Sequence, residues 1–201
     1  MEGDQAHAGL ADARVIAASV REPGMFGVIF ERHYTGVHGY LSRRAGPAVA
    51  DDLASATFVV AFERRASFLE SADSARPWLL GIATNLLRNQ WRSERRGLAA
   101  LARLAAGTRG GPGSEGSSAD PDLRSSMLRA LAELDGDHRD VLLLHAWEGL
   151  SYREIATALG VPVGTVRSRI ARGRARLRSL MGVPGPGDPG GAGALRQEVC
   201  E

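Results

Sequence analysis

The side chains best equipped for chemistry are six arginines, Arg167, Arg169, Arg172, Arg174, Arg176 and Arg178, set between Pro162 and Leu180 with no acid among them. A guanidinium stays charged and presents its N–H donors in a fixed fork, so the chemistry on offer is anion recognition, of phosphates and of the acceptor edge of guanine. A merely solvated helix would soften such a run with Glu. A second basic run spans Arg76 to Arg96, where five arginines stand against Glu94 alone. Nothing catalytic competes with these. His33, His38, His138 and His145 share no cluster, Cys200 is the single cysteine, and the chain holds no phosphate-cradling Gly loop or nucleophile motif. The expectation is a protein that is not an enzyme, with no metal, no cofactor and no small-molecule substrate.

The first arginine run needs an element to aim it, and Gly149 to Leu180 reads as a helix-turn-helix. Ser151 and Glu154 have the S-x-x-E spacing of a capping box, which starts a helix near Ser151. Ile155, Ala156 and Leu159 mark its apolar face, and Gly160 follows where a chain leaving a helix commonly needs positive φ. After the turn at Gly160 and Val161, Pro162 opens a second helix that runs to about Leu180. At about 100° per residue, Val163, Val166, Ile170 and Leu177 fall in one arc. Thr165, Ser168, Arg169, Arg172, Arg176 and Ser179 lie roughly opposite, with Arg167 beside them. Such a helix fits a DNA major groove.

The second run sits on a helix opened by Pro77, with an apolar set of Trp78, Leu79, Ile82, Ala83, Leu86 and Leu87. Asn85, Arg88, Asn89, Arg92, Arg95 and Arg96 supply amides and forks for backbone and bases. Trp78 reads as a core anchor, whereas Trp91 could stack on a base or cover the core edge. Before this helix, Leu10 to Val20 forms a short helix and Met25 to about Arg44 a long amphipathic one. Another begins near Asp51 and Asp52, acids suited to a positive helix N-terminus, and ends by about Ser67. Residues 67–75 form a polar loop, in which Phe68 suits a core role. Leu123 to Leu134, and Asp137 to Trp147, give two more helices that back the helix-turn-helix.

The chain has 201 residues, 44% of them hydrophobic and 24% charged, which suits one medium or two small globular domains. Every one of its 25 basic residues is arginine, and the net charge of +2 conceals the two basic helices. Residues 107–122 contain nothing apolar to bury and read as a flexible linker; residues 1–9 and the Gly- and Pro-rich tail 182–201 read as disordered. The expected fold is all-α, with two small helical domains, 10–106 and 123–181, joined by that linker. The N-terminus has neither a basic leader nor a long apolar core, so a cytoplasmic protein is expected.

GLSYREIA followed by PVGTVRSRI resembles the C-terminal promoter-binding domain of the extracytoplasmic-function (ECF) sigma factors of bacterial RNA polymerase. DDLASATFVVAF and RPWLLGIATNLLRNQWRSERR resemble that family's core-polymerase-binding and minus-ten-reading helices, and the resemblance covers most of residues 20 to 181. It implies minus-thirty-five contacts at Thr165, Arg167, Ser168, Arg169, Arg172 and Arg176, and minus-ten contacts at Phe68, Asn85, Arg88, Asn89, Arg92, Arg95 and Arg96. It also implies polymerase contacts at Asp52, Ser55, Thr57 and Phe58. Asp52, Thr57 and Phe58 fall in the family's D-L-x-Q-E-x-F pattern, while Ser55 and Ala56 stand for its Gln and Glu and remove an amide and a charge. The implied partners are RNA polymerase core, at its clamp and flap regions, promoter DNA and an anti-sigma factor. A response-regulator-like helix-turn-helix regulator is the alternative, but such a protein needs only one basic DNA-facing element.

Overall fold

The computed structural model describes residues 10–68, 74–105 and 123–182. Among them are eight α-helices and no strand: α1 (Asp12–Ser19), α2 (Phe26–Ala45), α3 (Pro47–Arg64), α4 (Arg76–Ala105), α5 (Leu123–Glu133), α6 (Gly136–Ala146), α7 (Tyr152–Leu159) and α8 (Val163–Leu180). The expected linker 107–122, residues 1–9 and the tail from 183 lie outside the described residues, as do 69–73 of the expected polar loop.

The period of each apolar stripe decides how the first four helices pack. On α2, Phe26, Ile29, Val37, Tyr40 and Leu41 are buried; on α3 the buried set is Ala50, Leu53, Ala54, Thr57, Phe58 and Ala61. Both follow the three-to-four spacing of a helix with one face inward, and the two helices form a hairpin closed by Gly46. α4 crosses this pair through Leu79, Leu80, Ile82, Ala83 and Leu87, all buried. α1 is held to the bundle by polar groups as well as by Val15 and Ile16: Asp12 accepts hydrogen bonds from Arg32 (2.9 Å) and from the backbone N–H of Ala75 (2.8 Å), and pairs with His33 (2.7 Å).

The start of α3 differs from the sequence reading. The helix begins at Pro47, not near Asp51, because proline is well suited to the first helical position, where its missing N–H costs nothing. Asp51 and Asp52 therefore sit in the second turn, beyond the strongest reach of the helix dipole, and Asp51 instead pairs with His38 at 2.8 Å.

The second set of helices is built around α6. Val141, Leu142, Leu143 and Leu144 are consecutive and all buried, so α6 is covered on every side and not on one stripe. α8 packs on one flank and α7 on another, and a further flank faces α4; α5 packs on α8 and is tied to α6 by Arg139, which donates to the Leu131, Ala132 and Leu134 carbonyls. The expectation of two helical units joined by a linker left their mutual contact open; in the structure they touch, with α7 lying along α4. The approach is closest at Gly81, where an added Cβ would overlap the Ala158 carbonyl oxygen and stand 2.8 Å from its carbon. Only a glycine lets the two backbones meet there.

Candidate nucleic-acid interface

The boundaries of the helix-turn-helix are set by local chemistry. Ser151 N–H donates to Glu154 Oε2 at 2.7 Å and Glu154 N–H donates back to Ser151 Oγ at 3.3 Å, so the reciprocal box satisfies two donors at the start of α7. Gly160 terminates α7 at φ 65°, ψ 37°, in the left-handed region, and Val161 N–H reaches the Ala156 carbonyl at 3.0 Å. Pro162 is the residue just outside α8, and its carbonyl accepts from Thr165 (2.9 Å) and Val166 (3.2 Å).

α8 then turns Val166 and Ile170 fully inward and leaves Leu177 half-buried. Val163 does not join them; at 36% exposure it lies near the edge of the arc assigned to it. Gly173, nearer the far end of the helix, is buried against Leu142 and His138; a Cβ there would come within 2.9 Å of Leu142 Cδ1. Within the arginine run the lone glycine was the available signal for that close approach.

The outward side of α8 carries exposed Arg167, Arg172, Arg174, Arg176 and Arg178, with Thr165 and Ser168 half-buried beside them. Ser168 Oγ donates to the Thr165 carbonyl at 3.0 Å, a bond back onto the helix that holds the hydroxyl at its surface. Arg169 departs from this group: it is half-buried and ion-paired with Asp137 of α6.

On α4, Asn85, Asn89, Arg92 and Arg96 are exposed; the side chain of Arg95 lies outside the description. Arg92 reaches Asn89 Oδ1 at 3.4 Å. Arg88 is half-buried, with Nε on Asp140 Oδ2 and Nη2 2.9 Å from Asp137 Oδ1. Trp91 stacks on no open surface. The guanidiniums of Arg44, on α2, and Arg139, on α6, lie 5.1 and 5.8 Å from its ring centre, so it stands where the two halves meet. Trp78 packs at the core edge with Phe68, their centroids 5.0 Å apart. Phe68 is half-buried, lining a cleft with Ile16, Val20 and Arg65.

Of the four residues expected on the polymerase-facing side of α3, Asp52 and Ser55 are exposed. Thr57 and Phe58 are not. Thr57 is fully buried with its hydroxyl donating to the Leu53 carbonyl at 2.7 Å, and Phe58 is 5% exposed beneath Phe30 and Tyr34. The face is completed by two exposed apolar residues that the family pattern does not point to, Phe30 and Val59.

The sequence reading also missed three carboxylates, Asp137, Asp140 and Glu148. Asp140 is 1% exposed and holds both Arg44 and Arg88. Glu148, nearly as buried, pairs with Arg43 and with Arg76, the latter at 2.7 Å, and its backbone carbonyl accepts a second bond from Arg76. Burial alone would lower the Arg44 guanidinium, but Tyr40 and Asp140 beside it hold its pKa above the ordinary value. Burial in turn pushes the Tyr40 hydroxyl up, so Tyr40 stays neutral and bonds Thr84 at 2.8 Å. An acid inside the apolar run DVLLLHAW was a signal of such pairing, though not of its partner.

Comparison with known proteins places this geometry. Residues 29–97 match the family Sigma-70 region 2, and residues 124–177 match Sigma-70, region 4. The RNA polymerase sigma factor CarQ of Myxococcus xanthus is 36% identical over 155 residues, which cover 77% of this chain and 87% of CarQ. The ECF RNA polymerase sigma factor SigL of Mycobacterium tuberculosis is 29% identical over 164 residues, covering 79% of this chain and 89% of SigL. Among solved structures, CnrH in complex with the cytosolic domain of CnrY aligns with a TM-score of 0.59 and 28% identity, over 86% of this chain and 98% of CnrH. Among the described residues, no helix is long and apolar enough to cross a membrane.

Proposed function

Because this chain belongs to the ECF sigma factors of the sigma-70 family, initiation factors and not enzymes, we propose that α8 and α4 are its two promoter contacts and the exposed side of α3 its contact with RNA polymerase core. In this reading residues 10–106 are the unit that binds polymerase and reads the minus-ten element. Residues 123–181 read the minus-thirty-five duplex, and the protein works in the cytoplasm.

The observation that carries the reading is the outward face of α8, where five exposed arginines and no acid stand on a helix fixed behind a capped partner. Arg172, Arg167 and Arg176 there meet guanine edges and phosphates, Arg169 joins them once released from Asp137, and Thr165 and Ser168 add hydroxyl contacts. Asn85, Asn89, Arg92, Arg95 and Arg96 line the minus-ten side of α4, together with Arg88, while Phe68 offers a ring beside the melted strand. Asp52 and Ser55 face the polymerase clamp, and Thr57 and Phe58 support that face from beneath. The flap region meets the C-terminal unit. An anti-sigma factor completes the set of partners, in line with the occurrence of CnrH with another protein's cytosolic domain.

The test is run-off transcription with purified core polymerase and a promoter library. Specific start sites that depend on the protein are the expected result. A tight operator footprint by the free protein, with no new start site from polymerase, would replace this reading with that of a classical regulator.

A further inference from the structure

α1 lies before the stretch that matches Sigma-70 region 2, which starts at residue 29. Its first residue, Asp12, is nonetheless built into the start of α4. Ala75 is the residue from which that helix begins: its carbonyl accepts the Leu79 N–H at 2.9 Å, and it is fully buried. An alanine has no side chain with which to cap a helix, and its own N–H is a buried donor that needs an acceptor. Asp12 supplies it. Oδ2 takes the Ala75 N–H at 2.8 Å and the Ser74 hydroxyl at 3.3 Å, and the same hydroxyl accepts the Arg76 N–H at 3.2 Å. A carboxylate from one helix and a serine thus act together as the cap of another, at the end where the helix dipole favours an anion. From α2, Arg32 on Oδ1 (2.9 Å) and His33 on Oδ2 (2.7 Å) fix the carboxylate in turn. The first turn of α4, so held, carries Trp78, and Trp78 is the ring against which Phe68 is set, with their planes inclined at 58°.

We propose that Asp12 is a positioning residue for minus-ten recognition: by capping α4 from α1 it fixes Trp78, and through Trp78 the Phe68 ring. The inference rests on the reading of Phe68 as the ring beside the melted strand. Its physical basis is that no neutral acceptor can replace the carboxylate. An amide has one acceptor oxygen, so asparagine could meet Arg32 or Ala75 but would turn its own donors toward the other. An unmet buried N–H at Ala75 is relieved most simply by fraying of the first turn, which releases Trp78 from its place. Asn85, roughly three turns further along α4, and the exposed side of α3 lie outside that turn.

The experiment uses holoenzyme assembled from the full chain and core polymerase. The probe is a fluorescent single-stranded oligonucleotide carrying the non-template minus-ten strand of a promoter selected in the run-off library, and anisotropy reads its affinity. Labelled protein reads affinity for core, and circular dichroism confirms folding at the assay temperature. Asp12→Asn and the milder Ser74→Ala are each expected to weaken strand binding by about threefold or more, the scale of one hydrogen bond, with core affinity unchanged. Phe68→Ala should weaken it as well. In the Phe68→Ala background neither change should weaken it further, because residues that act through one ring do not add. Unchanged strand affinity in folded Asp12→Asn, beside a loss in Phe68→Ala, would overturn the proposal while leaving the reading of Phe68 in place. So would equal losses with and without the Phe68 ring, which would make Asp12 a residue of general stability. Phe68→Ala that binds the strand as wild type does would remove that reading and the proposal with it. If Asp12→Asn does not fold, Ser74→Ala decides by the same criteria, since it leaves the Asp12 pairs with Arg32, His33 and Ala75 in place.

Discussion

Asp12 Oδ2 accepts the backbone N–H of Ala75 at 2.8 Å, so the first helix is tied to the residue from which α4 starts, 63 positions along the chain. The same carboxylate holds Arg32 and His33. Burial would raise its pKa from the ordinary 3.8, but hydrogen bonds from His33, the Ala75 N–H and Arg32 outweigh that and hold it far below.

A depressed carboxylate contributes stability above its unfolded pKa and loses it as pH falls through the folded value. Asp12→Asn is therefore expected to destabilise the N-terminal bundle by about 3 kcal/mol at neutral pH, the scale for breaking a buried ion pair. In urea titrations the gap to wild type should close progressively as the pH drops below the ordinary carboxylate range. A gap independent of pH would mean that packing, not charge, holds α1.

The helix-turn-helix should respond to its caps. Ser151→Ala leaves the Glu154 N–H without its side-chain acceptor, and a loss of about 1 kcal/mol is expected. Gly160→Ala forces a Cβ into the left-handed region at φ 65°, at a cost of about 1–2 kcal/mol. Denaturant midpoints of the two variants and their double check this; losses that do not add would show that the two ends of α7 are coupled.

Gly173→Leu tests the seat of α8 on α6. The side chain would enter space held by Leu142 and His138, and overpacking of this kind costs about 1–3 kcal/mol. Alanine should be milder, since the nearest atom is the end of a leucine that can rotate. Thermal melts distinguish the two, and a leucine variant as stable as wild type would mean that α8 is not seated as described.

The two basic helices should be separable by the kind of DNA each meets. Arg172→Ala is expected to weaken closed-complex formation, by about 1–3 kcal/mol if the fork is bidentate to a base, and to leave melting intact. Asn85→Ala should leave upstream binding nearly unchanged and reduce strand opening. A template with a preformed bubble should rescue Asn85→Ala alone; rescue of Arg172→Ala instead would reverse the assignment of the two helices.

Local signals were the legible ones. The capping box, the left-handed Gly160 and the apolar stripes of α2, α4 and α8 all follow from residue type and helical period, and each lies close to where the sequence puts it. The start of α3 was misread because the Gly46–Pro47 pair looks like a break and is also a good way to begin a helix. Long-range pairing was not legible. Nothing near Asp140 in sequence says that its partners are 96 and 52 residues away, at Arg44 and Arg88, and a polar linker gives no sign that the units on either side will touch. The arginines were found, but their occupancy was not.

α7 closes both of its own ends, at Ser151–Glu154 and at Gly160–Val161. Among the described residues, every backbone-to-backbone hydrogen bond outside the helices stays within its own half of the chain. Separation of the halves would thus break side-chain pairs and apolar contacts while leaving each peptide ladder whole. Amide protons of α7 and α8 should keep their protection from solvent exchange through many such separations, and a protease should find no new nick site on either surface. A parting of the two halves would therefore create no point of entry for degradation.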